Sequence, residues 1–362
     1  MCSDLLTIAI CAVICGANGW VQVQEFGQAK AAWFKTFLQL PHGIPSHDTF
    51  GRVFAAIKPE AFEGCFVRWV AALAKGCGGK LVSCDGKSMR RSFEHAWDKS
   101  GMAHLVSAFV GANRLVLGQL AVEQAGEGEE QRRGNEITVL PKLLELLDLA
   151  GATVSIDAIG CQRDIAQAIC DRRADYVLCV KDNQPTLHRK VKKLLDEAIL
   201  EWRDGTPGLR CGYFEETDGD HGRIETRRVW VTDELEHLTL EQPWPALASL
   251  ACVERVREVI GGPASTERHY YVSSIAGRDA RRLAEAIRGH WAVENQLHWH
   301  LDVSFAEDAC RVRKDHGPEN LSRLRRIALN LLQQETTCKR GIQTKRLRAG
   351  WDHDYLLKVL AG

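Results

Sequence analysis

The spacing of apolar positions along the 362-residue chain changes character near residue 80. Before that point the period is helical. SDLLTIAICAVICGA predicts a helix with Ser3 as its N-cap, ended by Gly16, Asn18 and Gly19. VQVQEFGQAKAAWFKTFL follows, then a Pro/Gly break, LPHGIPS. SHDTFGRVFAAI starts at a Ser46 or Asp48 cap, and PEAFEGCFVRWVAALAKG runs to Gly76, Gly78 and Gly79. Residues 1–78 are therefore expected to form a helical domain.

After residue 80 short apolar runs alternate with helical stretches. KLVSCDG is a strand ending at Asp85. GMAHLVSAFV and RLVLGQLAVE flank a turn at Gly111-Ala112-Asn113. A polar loop, EQAGEGEEQRRGNE, leads into the helix ITVLPKLLELLDLAG. TVSI is a strand ending on Asp157, followed by the helix QRDIAQAICDRRA and the strand DYVLCVK. The order β-β-β-α-β-α-β predicts an α/β core, a mixed sheet with a parallel half, over residues 79–335. Residues 190–275 read as an irregular β-rich insertion (IETRRVWVTD, SLACVERVREVI, ERHYYVSSI). RDARRLAEAIRGHWAVENQLHWHL reads as one long helix, ENLSRLRRIALNLLQQ as another, and 336–362 as a basic tail.

Lys+Arg and Asp+Glu balance at 47 each, so net charge selects no partner. The segregation of charge is more informative. Residues 311–348 carry eleven Lys/Arg against three acids, whereas 123–148 carry seven acids against three bases. A basic C-terminal region suits contacts to a nucleic-acid backbone, though a solvated helix face has the same composition. The 13 cysteines are scattered through apolar runs without a CxxC pair. That pattern argues against a disulfide framework and for a reducing cytoplasm. LLTIAICAVICGA lacks a basic flank, follows Asp4 and is too short to cross a bilayer, so no membrane segment is expected.

A charge that ends a buried strand needs a partner, a hydrogen bond or a metal. Asp85 and Asp157 both end strands, and in this element order the first and fourth strands are neighbours. Glu294 sits mid-helix in HWAVENQLHWHLD. Three converging carboxylates suit Mg²⁺ or Mn²⁺, two ions of which assist phosphodiester displacement. Each aspartate equally suits a turn or helix cap. His290, Glu294 and His298 share one face of an ideal helix, but HExxH is absent and no fourth ligand is evident, which disfavours zinc.

CDGKSMRRS, VSIDAIGCQRDIA, YVLCVKDNQPTL, HGRIETR, HWAVENQLHWHLDVSF and PENLSRLRRIALNLL occur in this order. The chain thereby resembles the DDE transposases of bacterial insertion sequences, in the subfamily that includes the H-repeat-associated proteins. The N-terminal WVQVQEFGQAKAAWFKTFLQLPHGIPSHDTFGRVF is similar to that subfamily's associated domain, so the helical domain of residues 1–78 is expected to serve DNA binding or dimerisation. The resemblance implies an RNase H-like core whose catalytic, metal-holding residues are Asp85, Asp157 and Glu294. It also implies cleavage at the terminal inverted repeats, strand transfer into target DNA, and a homodimer on DNA. In broader relatives a Tyr and an Arg precede the Glu and a Lys follows it by seven; here Ile287, His290 and Leu301 stand there. Glu307, with Lys314 seven residues on, is the reserve for the third acid. Lys87, Lys181, Arg223, Arg227 and His290 are further candidates for DNA contact. Two rival readings are a nuclease of the same core that does not join strands and an inactive DNA-binding remnant.

Overall fold

The computed structural model describes residues 2–74, 76–93, 102–122, 129–206, 208–220, 222–259 and 262–361. Helix α1 (Cys2–Ile14) already includes Ser3, so Ser3 lies in the first turn and is not the cap. Helices α2 (Trp20–Ala29) and α3 (Ala31–Phe34) follow the glycine break. Ser46, rather than Asp48, caps α4 (His47–Ala56), its hydroxyl accepting the Thr49 N–H at 3.3 Å. Helix α5 (Pro59–Ala74) opens on a proline, whose missing N–H has no partner to lose in a first turn. Then come β1 (Leu81–Ser88), β2 (His104–Val110), β3 (Leu115–Ala121), α6 (Glu129–Leu146), β4 (Thr153–Ile156), α7 (Arg163–Asp171) and β5 (Asp175–Val180). The predicted order β-β-β-α-β-α-β is present, with α6 starting inside the stretch expected to be loop.

The region from residue 190 begins differently from its expected irregular β texture. Helix α8 (Pro185–Asp204) occupies its first part. Leu187, Val191, Leu195, Ala198 and Ile199 form its buried stripe. Its signals are Pro185 at the start and Gly205 at the end, the latter left-handed at φ 66°. Only then follow β6 (Gly212–Asp220), β7 (Arg223–Thr232), β8 (Ser249–Val259) and β9 (Ala264–Ser273). Helix α9 (Ala280–His290) is succeeded by two π-helical turns, Val293–His298 and His300–Ser304. The expected single long helix is therefore interrupted. Helices α10 (Gly317–Gln334), α11 (Ile342–Trp351) and α12 (His353–Ala361) end the chain.

The chain forms two compact units. Unit 1 comprises residues 1–75, 86–135 and 293–362, and unit 2 residues 76–85 and 136–292. The N-terminal helices thus share a unit with the C-terminal helices, and α11 and α12 make up most of residues 336–361.

In unit 2 the strands are ordered β1-β4-β5-β9-β8-β7-β6. β1, β4 and β5 are parallel neighbours, and β9 joins β5 antiparallel, Val177 opposite Ser273. The inserted strands therefore extend the core sheet. Helix α9 covers one face, where Ala280, Leu283 and Ala286 pack with Val177, Val229, Val231 and Val253.

In unit 1, helix α10 is buried nearly all round, which for a helix carrying three arginines requires internal partners. Arg323 donates to Glu63 of α5 at 2.6 Å, to Glu319 at 2.9 Å and to Asn320 at 2.9 Å. Glu63 also accepts the Gln119 N–H of β3 at 2.7 Å. Glu307 lies 3.6 Å from Arg325 and 3.4 Å from Arg326, and accepts the Ser322 hydroxyl at 2.7 Å. Asn330 bonds both the N–H and the C=O of Val116, each at 2.9 Å, as a neighbouring strand would. Lys345 donates to the Leu332 carbonyl at 2.8 Å, and Arg346 to that of Val13 at 2.9 Å.

These contacts revise the charge argument. Five of the C-terminal cations (Arg323, Arg325, Arg326, Lys345 and Arg346) are buried inside unit 1 and offer nothing to a polyanion. Glu307, the reserve for the third acid, is likewise engaged as a buried counter-ion of Arg325 and Arg326. Arg311, Lys314, Lys339, Arg340 and Arg348 remain exposed, so the basic composition reflects both an ionic core and a charged surface, which periodicity could not tell apart.

Removing one member of a buried pair leaves an uncompensated charge and costs roughly 3–5 kcal/mol. Arg323→Ala is expected to lower stability by about that much in urea unfolding, while Arg340→Ala, at an exposed site, should change it by less than about 0.5 kcal/mol. Equal effects of the two substitutions would contradict the assignment of Arg323 to the core.

Candidate active site

The carboxylates of unit 2 follow from strand register. Cys84 of β1 pairs with Ile156 of β4, so Asp85 and Asp157 each stand one residue beyond the same rung of a parallel ladder. Side chains alternate between faces, which puts Asp85 on the face of Ser83 and Asp157 on that of Ser155. The two serines identify that face as shared, since the Ser155 hydroxyl donates to Ser83 at 3.2 Å. His290, the last residue of α9, lies on the same face with Nδ1 3.0 Å from the Ser155 hydroxyl. Asp85, inside β1 and not at its end as expected, and Asp157, just past the end of β4, thus stand side by side on neighbouring strands.

Asp157 also caps. Its Oδ1 accepts the Ile159 N–H at 3.2 Å and starts the short 3₁₀ turn Ala158–Gly160. Gly160 is required there because a Cβ would lie 2.2 Å from Ile156 Cγ2. A carboxylate has two oxygens and about four lone-pair sites, so capping does not exclude a second role. Burial, reinforced by nearby Glu136, raises the Asp157 pKa, against a smaller opposing effect from Lys181. The site therefore disfavours the ionised form until a positive charge arrives.

In unit 1, Glu294 and His298 occupy the first π-helical turn. Val293, Leu297, Leu301 and Phe305 are all at most 1% exposed and recur every four residues. An α-helix advances about 100° per residue, so such a row would drift by about 40° per step. The wider π turns straighten it. The adjoining row, Glu294, His298 and Asp302, is straightened with it. His298 Nδ1 lies 3.0 Å from Glu294 Oε2, and this contact holds the Glu294 carboxyl below its ordinary pKa, with a smaller contribution from Lys87. Lys87 is itself anchored, 2.7 Å from Asp302 and 3.2 Å from Asp308. The ideal helix face expected for His290, Glu294 and His298 is replaced by this geometry, in which His290 bonds Ser155 and His298 bonds Glu294.

The basic candidates divide by environment. Lys181 follows β5 and is exposed, as is Arg223 at the start of β7. Arg227 is ion-paired with Glu225 and lies 3.6 Å from Glu216. Lys87 has 9% of its side chain exposed. His298 and Asp302 were not among the expected site residues; their signal was the four-residue recurrence after Glu294. No helix among the described residues is long and apolar enough to cross a membrane.

The transposase DDE domain matches residues 77–331, and the DDE_Tnp_1-associated domain residues 1–70. YncI of Escherichia coli O157:H7, named provisionally as a transposase, is 37% identical over 99% of this chain and 89% of its own length. YhhI of E. coli K12, named provisionally as an H repeat-associated transposase, is 36% identical over 99% of this chain and 92% of its own. YbfQ of E. coli K12, named an inactive transposase, is 45% identical over 51 residues, 14% of this chain. A piggyBac transposase synaptic complex with hairpin DNA aligns with a TM-score of 0.40 at 10% identity, covering 99% of this chain and 72% of that one. That likeness is too slight to bear on the site. With its catalytic-domain match extending over most of its length and relatives aligned nearly end to end, the chain belongs to the DDE-domain transposase family.

Proposed function

We propose that the protein is a cytoplasmic DNA transposase with an RNase H-like core, cutting DNA at the ends of its element and joining them to a target. The observation that carries this reading is the pair Asp85 and Asp157, side by side beyond one rung of β1 and β4. Glu294 is proposed as the third acid. Hard carboxylate oxygens suit Mg²⁺ or Mn²⁺, and the raised pKa of Asp157 marks a place that a cation would relieve. Two such ions, when bound, would lower the pKa of the attacking hydroxyl and neutralise charge on the phosphate.

The chain's own contribution is placement. Asp85 and Asp157 are fixed by strand register, so both reach one scissile phosphate without rearrangement of the sheet. Lys181 and Arg223, exposed and basic, are proposed as phosphate contacts. Lys87 and Arg227 can reach DNA only by exchanging a carboxylate partner for a phosphate. His290 holds Ser155 beneath the aspartates and supports the face. Bringing two element ends together calls for two protomers, so a homodimer on DNA carrying terminal inverted repeats is the assembly proposed.

Asp157→Asn should abolish Mg²⁺-dependent cleavage of an inverted-repeat duplex, a loss of at least about 100-fold, while leaving mobility-shift binding within a few-fold. Cleavage at the wild-type rate would remove Asp157 from the reaction. Pre-cut ends supplied with a target plasmid distinguish the transposase, which yields joined product, from a nuclease of the same core, which does not. The name of YbfQ gives the inactive-remnant reading its one support; intact DNA binding without any cleavage by the wild-type chain would favour it.

Lys181→Ala should weaken DNA binding at all sequences and reduce the slope of log K against log [salt] by about one. An unchanged slope in a fluorescence-anisotropy titration would exclude this contact.

A further inference from the structure

Glu294 exposes 57% of its side chain, whereas His298 exposes 6%. A lone exposed glutamate has three rotatable bonds, and fixing them on binding an ion weakens the site. Here the carboxylate is already held. His298 Nδ1 lies 3.0 Å from Oε2, and since a carboxylate can only accept, the imidazole N–H donates. The ring is itself constrained, because His298 is 4% exposed beside the fully buried Leu297 and Leu301. The same row is anchored one step further along, where Lys87 bonds Asp302 at 2.9 Å. Both restraints depend on the four-residue stacking that the π-helical turns create.

We infer that His298 is the positioning residue for Glu294, fixing the carboxylate through Nδ1–H so that it is ordered before an ion or DNA arrives. The inference rests on the reading of Glu294 as the third metal-holding acid. His298 acts through the glutamate and does not touch the ion, because the nitrogen facing the site carries the proton it donates. The arrangement follows the general rule that hydrogen-bond partners of a ligand set its orientation and affinity.

The test uses the full-length protein with Mn²⁺ as probe, binding being read from the electron paramagnetic resonance of free Mn²⁺ and folding from the thermal midpoint. His298→Leu should weaken Mn²⁺ binding about tenfold. His298→Asn, whose amide N–H can occupy the Nδ1 position, should recover most of the loss. In a Glu294→Gln background His298→Leu should have no further effect. Should His298→Leu not fold, His298→Asn against His298→Gln carries the same comparison, since the longer Gln amide falls at the Nε2 position. Wild-type affinity in His298→Leu, a full effect that persists in Glu294→Gln, or nitrogen coupling to Mn²⁺ in the wild-type spin-echo spectrum would each overturn the inference. The two failures are distinguishable. Loss of cleavage in Glu294→Gln with His298→Leu indistinguishable from wild type refutes only the positioning role, whereas wild-type Mn²⁺ binding and cleavage in Glu294→Gln refute the reading of Glu294 and this inference with it.

Discussion

Parallel pairing of β1 with β4 is the constraint on which the rest depends. Its rungs run from Leu81 opposite Thr153 to Cys84 opposite Ile156, and the next residue on each strand is an aspartate. Because side chains alternate, a slip of one residue would turn one aspartate to the opposite face and break the Ser83–Ser155 hydrogen bond. Register here does the work that a flexible loop could not. It sets two aspartates side by side on one face, and burial together with the nearby Glu136 raises the pKa of Asp157.

The two units solve the problem of buried charge in opposite ways. In unit 1, Glu63, Arg323, Glu307, Arg325 and Arg326 are opposite charges closed on one another and withdrawn from water. At the strand ends of unit 2, Asp157 has Glu136 as the main charge acting on it, a group of like sign. The first arrangement pairs its charges internally and can specify a unique core, as buried ion pairs do in some proteins. In the second, the backbone N–H groups of Ile159 and Gly160 and the charge of Lys181 offset the effect of burial and Glu136 only in part. By that contrast Glu307 stands with the ion-paired acids of unit 1.

Much of the core was legible from the chain alone. Apolar runs ending on Asp85 and Asp157, with one helix between β3 and β4 and one between β4 and β5, were enough to anticipate neighbouring strands, because sheet connections follow few rules. The helix starting at Ser46 or Asp48 was equally plain, and the structure gives Ser46 as its cap. Other features were hidden for identifiable reasons. Helix α8 has a clear buried stripe at Leu187, Val191, Leu195 and Ala198, but its many charges and the strand-rich sequence that follows obscured it. The π turns look like an α-helix until the four-residue spacing of Val293, Leu297, Leu301 and Phe305 is taken literally. The arginines of α10 read as a DNA-facing surface because local pattern records charge and not burial.

Unit 1 is closed by residues 293–362, although its other parts are the first 75 residues and residues 86–135. Its contacts therefore span almost the whole chain, so they form late and only after large loops are closed. During synthesis, α5 carries Glu63 long before α10 emerges with Arg323, and the acid must remain in water until then. A gene copy interrupted anywhere upstream of α10 would yield a polypeptide unable to complete this core.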